Sequence, residues 1–172
     1  KLTQEEIQLI DENSVLVEYS KGEVLCKQGG LASHILYMES GLAKIHINNG
    51  SNSLVLKIIP DGNFVGLASL SEDSNQYPYS AMTYVDSVVR QINLTTFHQL
   101  LDQNAAFARE IIEIFISNTN QIYGRFFCLI HKQSYGKLAD ILLCLTDRIF
   151  KSSEFNLPLS RKELAELTGM SQ

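Results

Sequence analysis

Closely spaced turn signals divide the first 93 residues into short apolar runs, and this division limits the folds open to the chain. Runs such as VLVEY, HILYMES, LAKIHI and SLVLKII are rich in β-branched and aromatic residues, and several alternate apolar with polar positions. The turn signals between the runs lie at residues 21–22, 29–30, 40–41, 48–50 and 60–62. Strands at this spacing predict a compact β-sandwich or barrel over residues 15–93. Before it, Thr3 and Glu6 form a capping-box pattern that predicts a short helix over residues 4–11.

The chain changes to helical periodicity at Leu94. A short helix is expected over residues 96–101 and a long one over 105–130, and the long helix carries two apolar stripes. We expect one stripe to cover the β-domain and the other to meet a two-fold copy of the same helix, the alternative being a helix buried on both sides within one chain. The predicted dimer interface comprises Ile112, Phe115, Thr119, Ile122, Phe126 and Leu129. The second stripe comprises Phe107, Ile111, Ile114, Tyr123, Phe127 and Ile130.

A further helix is expected over residues 135–150, and the stretch LSRKELAELTGMSQ follows at 159–172. Its Ser160 and Glu163 form a second capping box, which predicts a helix starting at Arg161. Counted from that start, the fifth residue is Ala and the ninth is Gly. A helix-turn-helix motif requires a small residue at the fifth position and one that tolerates positive φ at the ninth. The stretch therefore predicts the first helix and turn of a helix-turn-helix.

The second helix of such a motif enters the major groove of DNA and would begin here at Ser171 and Gln172. We therefore expect the natural protein to continue beyond residue 172. The net charge of −5 argues against a nucleic-acid-binding protein, but the acidity is uneven. Residues 1–130 hold eight Lys or Arg and fourteen Asp or Glu, a net charge of −6, whereas residues 131–172 hold six and five, a net charge of +1. The surface expected to face DNA lies in residues 131–172, which follow the acidic part of the chain.

The order of these parts, with KGEVLCKQGG, ILYMESGLAKIHI, PDGNFVGLASL and LSRKELAELTGMS, resembles the cyclic-AMP receptor protein/FNR (CRP/FNR) family of bacterial transcription regulators. The resemblance implies a mixed α+β fold, in which a jelly-roll-like, cyclic-nucleotide-binding-type β-roll precedes a dimerisation helix and a winged helix-turn-helix. It divides the chain into a sensor domain at 1–102, a central helix at 103–132 and an incomplete DNA-binding domain at 133–172. The implied partners are double-stranded DNA, a second copy of the chain and RNA polymerase. The implied DNA contacts are Ser160, Arg161, Lys162, Ser171 and Gln172.

The effector chemistry of the family does not carry over to this chain. In the cyclic-AMP-binding members a Glu holds the ribose, an Arg-Ser pair binds the phosphate and a Thr-Ser pair meets the base. Here Leu67 stands in place of the Glu, neither register of NQYPYSAMT supplies an Arg, and residues 122–123 are Ile and Tyr. Residues 58–89 contain no Lys or Arg at all, so a phosphate buried there would lack charge-assisted hydrogen bonds worth about 1.5–3 kcal/mol each. Cyclic AMP is therefore disfavoured.

Two alternatives stay open at these family positions: a pocket for a different ligand, or a regulator without a small-molecule effector. The candidate pocket comprises Val65, Gly66, Leu67, Ala68, Tyr79, Ser80, Ala81, Ile122 and Tyr123.

Metal cofactors are disfavoured by residue type and spacing. An FNR-type iron–sulfur cluster needs four suitably placed Cys, and the chain has three scattered ones, at positions 26, 128 and 144. Haem needs an axial ligand, for which four His qualify only by residue type: His34, His46, His98 and His131. Of these, His46 alternates with two Ile residues and is expected to be an outward-facing strand residue. No metal site is predicted.

Two other functions compete with that of a regulator. A cupin-like metal enzyme would need about three His and a carboxylate that converge, whereas KIHI offers a single His; no catalytic residues are predicted. A cyclic-nucleotide-type regulatory module of a channel or kinase would share the β-roll but has no need of SRKELAELTGMS. No run approaches the length of a membrane span and the first residues lack a signal-peptide pattern, so a cytoplasmic protein is expected. The family resemblance implies a bacterial one.

Overall fold

Two four-stranded antiparallel sheets form the first half of the molecule, as seen in a computed structural model that describes residues 2–50, 52–71 and 74–170. The predicted DNA contacts Ser171 and Gln172 lie outside the described residues. The strands are β1 Ser14–Tyr19, β2 Val24–Cys26, β3 His34–Ser40, β4 Leu42–Asn49, β5 Asn52–Pro60, β6 Phe64–Val65, β7 Ser80–Thr83 and β8 Ser87–Asn93. One sheet has the order β1-β8-β3-β6 and the other β2-β7-β4-β5.

The inner faces of the two sheets bury one apolar cluster between them. Met38 and Val89 come from the first sheet, and Ala43, Ile45 and Ala81 from the second. Their alternation with residues that point away from this cluster follows from the two-residue repeat of a strand. The prediction of a β-sandwich or barrel, followed by a long helix, is confirmed.

The helices begin and end close to the predicted residues because the capping signals were present in the sequence. Asn104 caps the long helix with its side-chain oxygen, and the capping boxes of the first and last helices both form. The predicted helix over 135–150 is instead an α-helix followed by a π-helical turn, Leu145–Ile149. Leu145 and Ile149 of this turn belong to a second apolar cluster, which also contains residues of β4 and β5. The α-helices are α1 Gln4–Glu12, α2 Leu94–Gln103, α3 Ala105–His131, α4 Ser134–Cys144 and α5 Arg161–Thr168.

The C-terminal helices pack on the outer face of the β2-β7-β4-β5 sheet. Leu42, Val55 and Ile58 of that sheet share a buried cluster with Leu145 of the π-helical turn and Leu167 of α5. This contact joins the start of the predicted DNA-binding module to the β-roll.

That packing also corrects the expectation for His46. Its side chain is only 7% exposed, and Lys44 beside it is buried as well. The two lie close to Glu166, whose charge acts on His46, so α5 covers this part of the strand. Burial lowers the pKa of His46, with a further contribution from the charge of Lys44. Alternation along the strand identifies the outer face but cannot reveal that a distant helix covers it.

We predict that Gly41→Ala destabilises the β-roll strongly. Gly41 has a φ of +110°, and a Cβ added there would lie 2.8 Å from the Cα of the buried Ser87, a backbone atom that cannot move aside. Positive φ costs a non-glycine residue about 1–2 kcal/mol, and the overlap adds about 1–3 kcal/mol. Thermal unfolding followed by circular dichroism measures the effect.

Gly22→Ala is the matched control for Gly41→Ala. Gly22 has a φ of +86°, but an added Cβ there would meet no atom within 4 Å. It carries the conformational cost without the overlap, so equal destabilisation by the two variants would contradict the packing explanation.

Candidate effector, dimer and DNA-contact surfaces

A tyrosine hydroxyl is hydrogen-bonded to a backbone amide at the centre of the predicted effector pocket. The N–H of Gly66 donates to the hydroxyl oxygen of Tyr79 over 2.9 Å. Tyr77 lies alongside, donating its own hydroxyl to the carbonyl of His34 over 2.6 Å. Burial raises the pKa of both phenols, to about 12 for Tyr77, so both stay neutral at physiological pH. An anion arriving at the Gly66 amide would therefore meet an uncharged phenol already bonded there.

The remaining predicted pocket residues lie in different surroundings. Val65 and Ala81 belong to the core between the sheets, and Leu67 belongs to a separate cluster with Phe97 of α2. Ala68 is exposed, while the buried Ser80 accepts a hydrogen bond at Oγ from the N–H of Gln28 over 3.0 Å.

The two α3 positions assigned to the pocket lie elsewhere. Ile122 lines a small cavity, too narrow to hold a water molecule, together with Leu54 and Leu56 of β5, and Tyr123 is 65% exposed. Effector binding by the predicted set stays a prediction.

Different faces of the long helix α3 are covered in its first and second halves. In its first half Phe107 and Ile111 are buried against α2 and the first sheet. In its second half Ile122 and Leu129 of the predicted interface are half-buried, and both line the small cavity at β5. Neither sequence stripe is therefore exposed from end to end, because α2 covers one face of the helix and β5 covers another.

The exposed apolar band on α3 combines members of both stripes. Its residues are spaced four and three apart in alternation, the repeat of a coiled-coil seam. Thr119 is the polar member, and Phe115 and Phe127 flank the band as further exposed aromatic residues. We call this band the α3 seam; it comprises Ile112, Ile116, Thr119, Tyr123, Phe126 and Ile130.

Helix α5 has the local geometry that the first helix of a helix-turn-helix requires. Ser160 accepts from the N–H of Glu163 over 3.2 Å, and the Glu163 carboxylate accepts from the N–H of Ser160 over 2.6 Å. The helix ends at Gly169 in the left-handed conformation, with a φ of 62°. Arg161 and Lys162 are exposed, whereas Leu167 is buried against the β-roll. The two basic side chains thus point away from the surface that α5 uses for docking.

Three basic residues tie the C-terminal segment to the β-roll and α3. Lys44 forms an ion pair of 2.6 Å with Glu166, with the two side chains 10% and 35% exposed. Lys21 donates to the carbonyl of Pro158 over 3.1 Å. Arg125 donates from Nε to the carbonyl of Val55 over 2.5 Å and from its terminal nitrogen to the carbonyl of Leu167, so that one guanidinium joins β5 to α5. Sequence reasoning missed this junction, because no local pattern marks a contact between residues more than forty positions apart.

A cleft of about 820 Å³ opens between β5, α3 and the α4–π-turn segment. Lys57 on its wall is 9% exposed, and its Nζ donates to the side-chain oxygen of Asn118. Burial, with a smaller contribution from the charge of Arg148, lowers the pKa of Lys57 to about 8. Cys128 and Cys144 are half-buried on the same walls, and burial raises the pKa of both thiols.

Among residues 2–50, 52–71 and 74–170, no three His, Cys, Asp or Glu side chains lie close enough together to hold a metal ion. In that same part of the chain, none of the helices has the length and apolar character needed to cross a bilayer.

Comparison with known proteins places this geometry in context. Residues 16–104 match the family model described as the cyclic nucleotide-binding domain. The transcriptional activator protein FnrA of Stutzerimonas stutzeri is 24% identical over 155 residues, which cover 87% of this chain and 63% of FnrA. The chain therefore spans somewhat less than two thirds of the length of this relative.

Solved structures share the fold at low sequence identity. FixK2 from Bradyrhizobium japonicum superposes with a TM-score of 0.81 at 16% identity, covering 92% of this chain and 78% of FixK2. A protein from Eubacterium rectale, described as a transcriptional regulator of the crp/fnr family, superposes with a TM-score of 0.79 at 17% identity, covering 99% and 78%. Both similarities extend beyond the β-roll into the helical part of the chain.

We predict that Lys57→Met stabilises the protein at neutral pH. The folded protein holds the Lys57 pKa at about 8, against 10.5 for an unperturbed lysine, so keeping the proton on this side chain costs about 3–3.5 kcal/mol below pH 8. A methionine of similar length removes that cost. Chemical denaturation at pH 7 measures the free energy of unfolding of both proteins.

The pH dependence of this effect has a definite sign. Between pH 8 and 10.5 the unfolded lysine binds a proton that the folded one has lost, so the wild type gains stability as the pH rises. The advantage of Lys57→Met should therefore be complete below pH 8 and should shrink towards pH 10.5. A difference that stays constant across this window would contradict the assignment.

Proposed function

Because the chain belongs to the cyclic nucleotide-binding domain family and resembles regulators of the CRP/FNR type, we propose that it is the sensor and coupling part of a homodimeric DNA-binding transcription regulator. Such a regulator acts in the bacterial cytoplasm, with double-stranded DNA and RNA polymerase as partners. The observation that carries the proposal is α5, a capped helix that ends in a left-handed Gly169 and leaves Arg161 and Lys162 exposed.

The charges of α5 support a role in contacting DNA. Exposed Arg and Lys side chains at the start of a helix offer phosphate contacts, which fix the register of the protein on the duplex without reading its sequence. Ser160 adds a hydroxyl at the helix N-terminus, and we propose Ser171 and Gln172 as further DNA contacts. A regulatory module of a channel or kinase has no use for this arrangement.

The α3 seam supports a two-fold dimer. Six positions at coiled-coil spacing present five large apolar side chains to the surface, which two parallel copies of the helix would bury against each other. A dimer of this kind places two recognition helices on one side of the DNA, where they must lie roughly 34–36 Å apart to read a two-fold operator. Of the interface residues expected from sequence, we retain Ile112, Thr119 and Phe126 and assign Ile122 and Leu129 to the contact with β5.

The junction between α5 and the β-roll supports a mechanism in which a change in the position of α5 regulates DNA binding. Lys44, Lys21 and Arg125 hold the C-terminal segment against the β-roll, so any change there alters where α5 lies relative to the α3 seam. This in turn sets the distance between the two recognition helices of a dimer. The bond between Tyr79 and Gly66 and the missing cationic side chains weigh against cyclic AMP as the signal.

We predict that the whole gene product selects inverted repeats from sheared genomic DNA. The expected half-sites are separated by 10–10.5 base pairs, about one helical turn, or a multiple of it. Replacing Arg161 and Lys162 by Ala should weaken binding to all sequences alike and reduce the slope of log K against log salt by about 1 for each phosphate that the variant no longer neutralises. Sequencing of the retained fragments and binding titrations at several salt concentrations provide the measurements.

Lys27→Ala is the control for the DNA experiment, because Lys27 is exposed on the β-roll, outside α5. Its binding and salt slope should equal those of the wild type. Recovery of no enriched sequence by the whole gene product would refute the proposed function.

We predict that Tyr123→Glu converts the whole gene product from dimer to monomer. The substitution places two carboxylates at the centre of the α3 seam, where burial of unpaired charge costs about 3 kcal/mol or more and weakens association more than about a hundredfold. Sedimentation velocity measures the change. Ser117→Glu, which adds the same charge at an exposed position of α3 off the seam, should remain dimeric. A dimeric Tyr123→Glu protein would mean that another surface holds the subunits together.

A further inference from the structure

The cleft at Lys57 is separate from the predicted effector pocket and lies between the two modules. Its walls come from β5, from the middle of α3 and from the α4–π-turn segment, with Leu167 of α5 at its edge. The volume of about 820 Å³ lies within the roughly 300–1,000 Å³ range of sites that hold small organic ligands. The predicted pocket at Gly66 and Tyr79 contributes no residue to it.

Three basic residues on the walls of the cleft form no ion pair within the described part of the chain. Lys57, Arg125 and Arg148 all line the cleft, and the charge of Arg148 acts on Lys57. Within the described part of the chain none of the three forms an ion pair: Lys57 bonds to the Asn118 amide and Arg125 to two carbonyl groups. A buried ammonium without a carboxylate partner is unfavourable unless something else compensates it.

The acidic residues of the cleft do not form ion pairs with these three basic residues. Asp140 is taken up by Lys132, with 2.6 Å between its oxygens and Nζ. Glu113 and Asp147 are exposed at the cleft margin, where they are positioned to accept hydrogen bonds from a ligand that also carries donors. Ile58, Ile141 and Leu143 supply apolar surface between the charged groups.

We propose that this cleft binds a small organic anion, with its carboxylate or phosphate at Lys57 and Arg148 and its apolar body against Ile141 and Leu143. Such a ligand bridges β5 and α3 on one side and the π-helical turn on the other. Its occupancy therefore favours the docked position of the C-terminal segment, which gives the protein a means of sensing an anionic metabolite. The binding step does not depend on DNA recognition and can be tested without it.

Cys128 and Cys144 provide reporters inside the cleft, and buried Cys26 provides an internal reference. The whole gene product is alkylated with N-ethylmaleimide, and the modification rate of each cysteine is followed by peptide mass spectrometry. The probe is 8-anilinonaphthalene-1-sulfonate, an aromatic body that carries one anionic group. At about ten times its Kd, alkylation of Cys128 and Cys144 should slow about tenfold, since only the unoccupied fraction reacts.

Two controls separate this site from other apolar surfaces. N-phenyl-1-naphthylamine, which has the same rings without the sulfonate, should protect the two thiols much less. Lys57→Met should abolish protection by the sulfonate, whereas Lys27→Met, at an exposed lysine of the β-roll, should retain it. Binding at the α3 seam would raise probe fluorescence without protecting the cleft thiols.

Competition then distinguishes the two head groups. Displacement of the probe by phenyl phosphate assigns a phosphate ligand and displacement by phenylacetate a carboxylate, and either result supports the proposal. Equal protection by the neutral and anionic probes, or protection that survives Lys57→Met, would overturn it. Neither result bears on whether the whole gene product selects operator DNA.

Discussion

Burial of the outer face of the β2-β7-β4-β5 sheet by the C-terminal helices is the contact on which the arrangement of the molecule depends. A helix of eight residues such as α5 is far too short to be stable in isolation, so it owes its position to packing. Leu145 and Leu167 are almost fully buried at this contact, and each such side chain contributes about 1.5–3 kcal/mol. The same contact buries Lys44 and His46 and forms one side of the cleft. The β-roll and the C-terminal helices are therefore parts of one packed unit in this structure.

The polar groups of the junction determine how that unit can change. Arg125 satisfies carbonyl groups of β5 and α5 with a single guanidinium, and the buried Lys44 pairs with Glu166, whose side chain is 35% exposed. Hydrogen bonds in such surroundings are strong when complete and costly when one partner is removed. Removing one partner at the junction is therefore more costly than completing the bond is favourable. Lys57 differs from these residues, because its buried ammonium group has only the side-chain amide of Asn118 as a partner.

Local signals in the sequence were sufficient to predict most of the elements. The capping pairs Thr3–Glu6 and Ser160–Glu163 fixed two helix starts, and Gly169 fixed a helix end, since each depends on residues within one or two turns. The turn signals likewise delimited the strands of the β-roll. The π-helical turn after Cys144 was not predicted, because no local pattern in the sequence marks it.

The surfaces were harder to predict than the elements. Periodicity showed that α3 has more apolar surface than one partner needs, but it could not show that the covered face changes between Ile111 and Ile122. The cleft at Lys57 had no sequence signal, since its walls come from three separated segments. Residue types alone indicated that cyclic AMP chemistry is missing at Gly66, yet not that Tyr79 is bonded there.

The bond between Tyr79 and Gly66 has a consequence for how this fold can acquire a ligand. A phenol held 2.9 Å from the amide acts as an intramolecular competitor, present at high effective concentration because the β-roll has already fixed its position. An external ligand at that amide must displace it and leave a buried hydroxyl oxygen without the N–H that donates to it. The side chain thus fills the position that any ligand of the Gly66 amide would take. Loss of this single tyrosine would leave the buried Gly66 amide without its acceptor and make that position available to a different one.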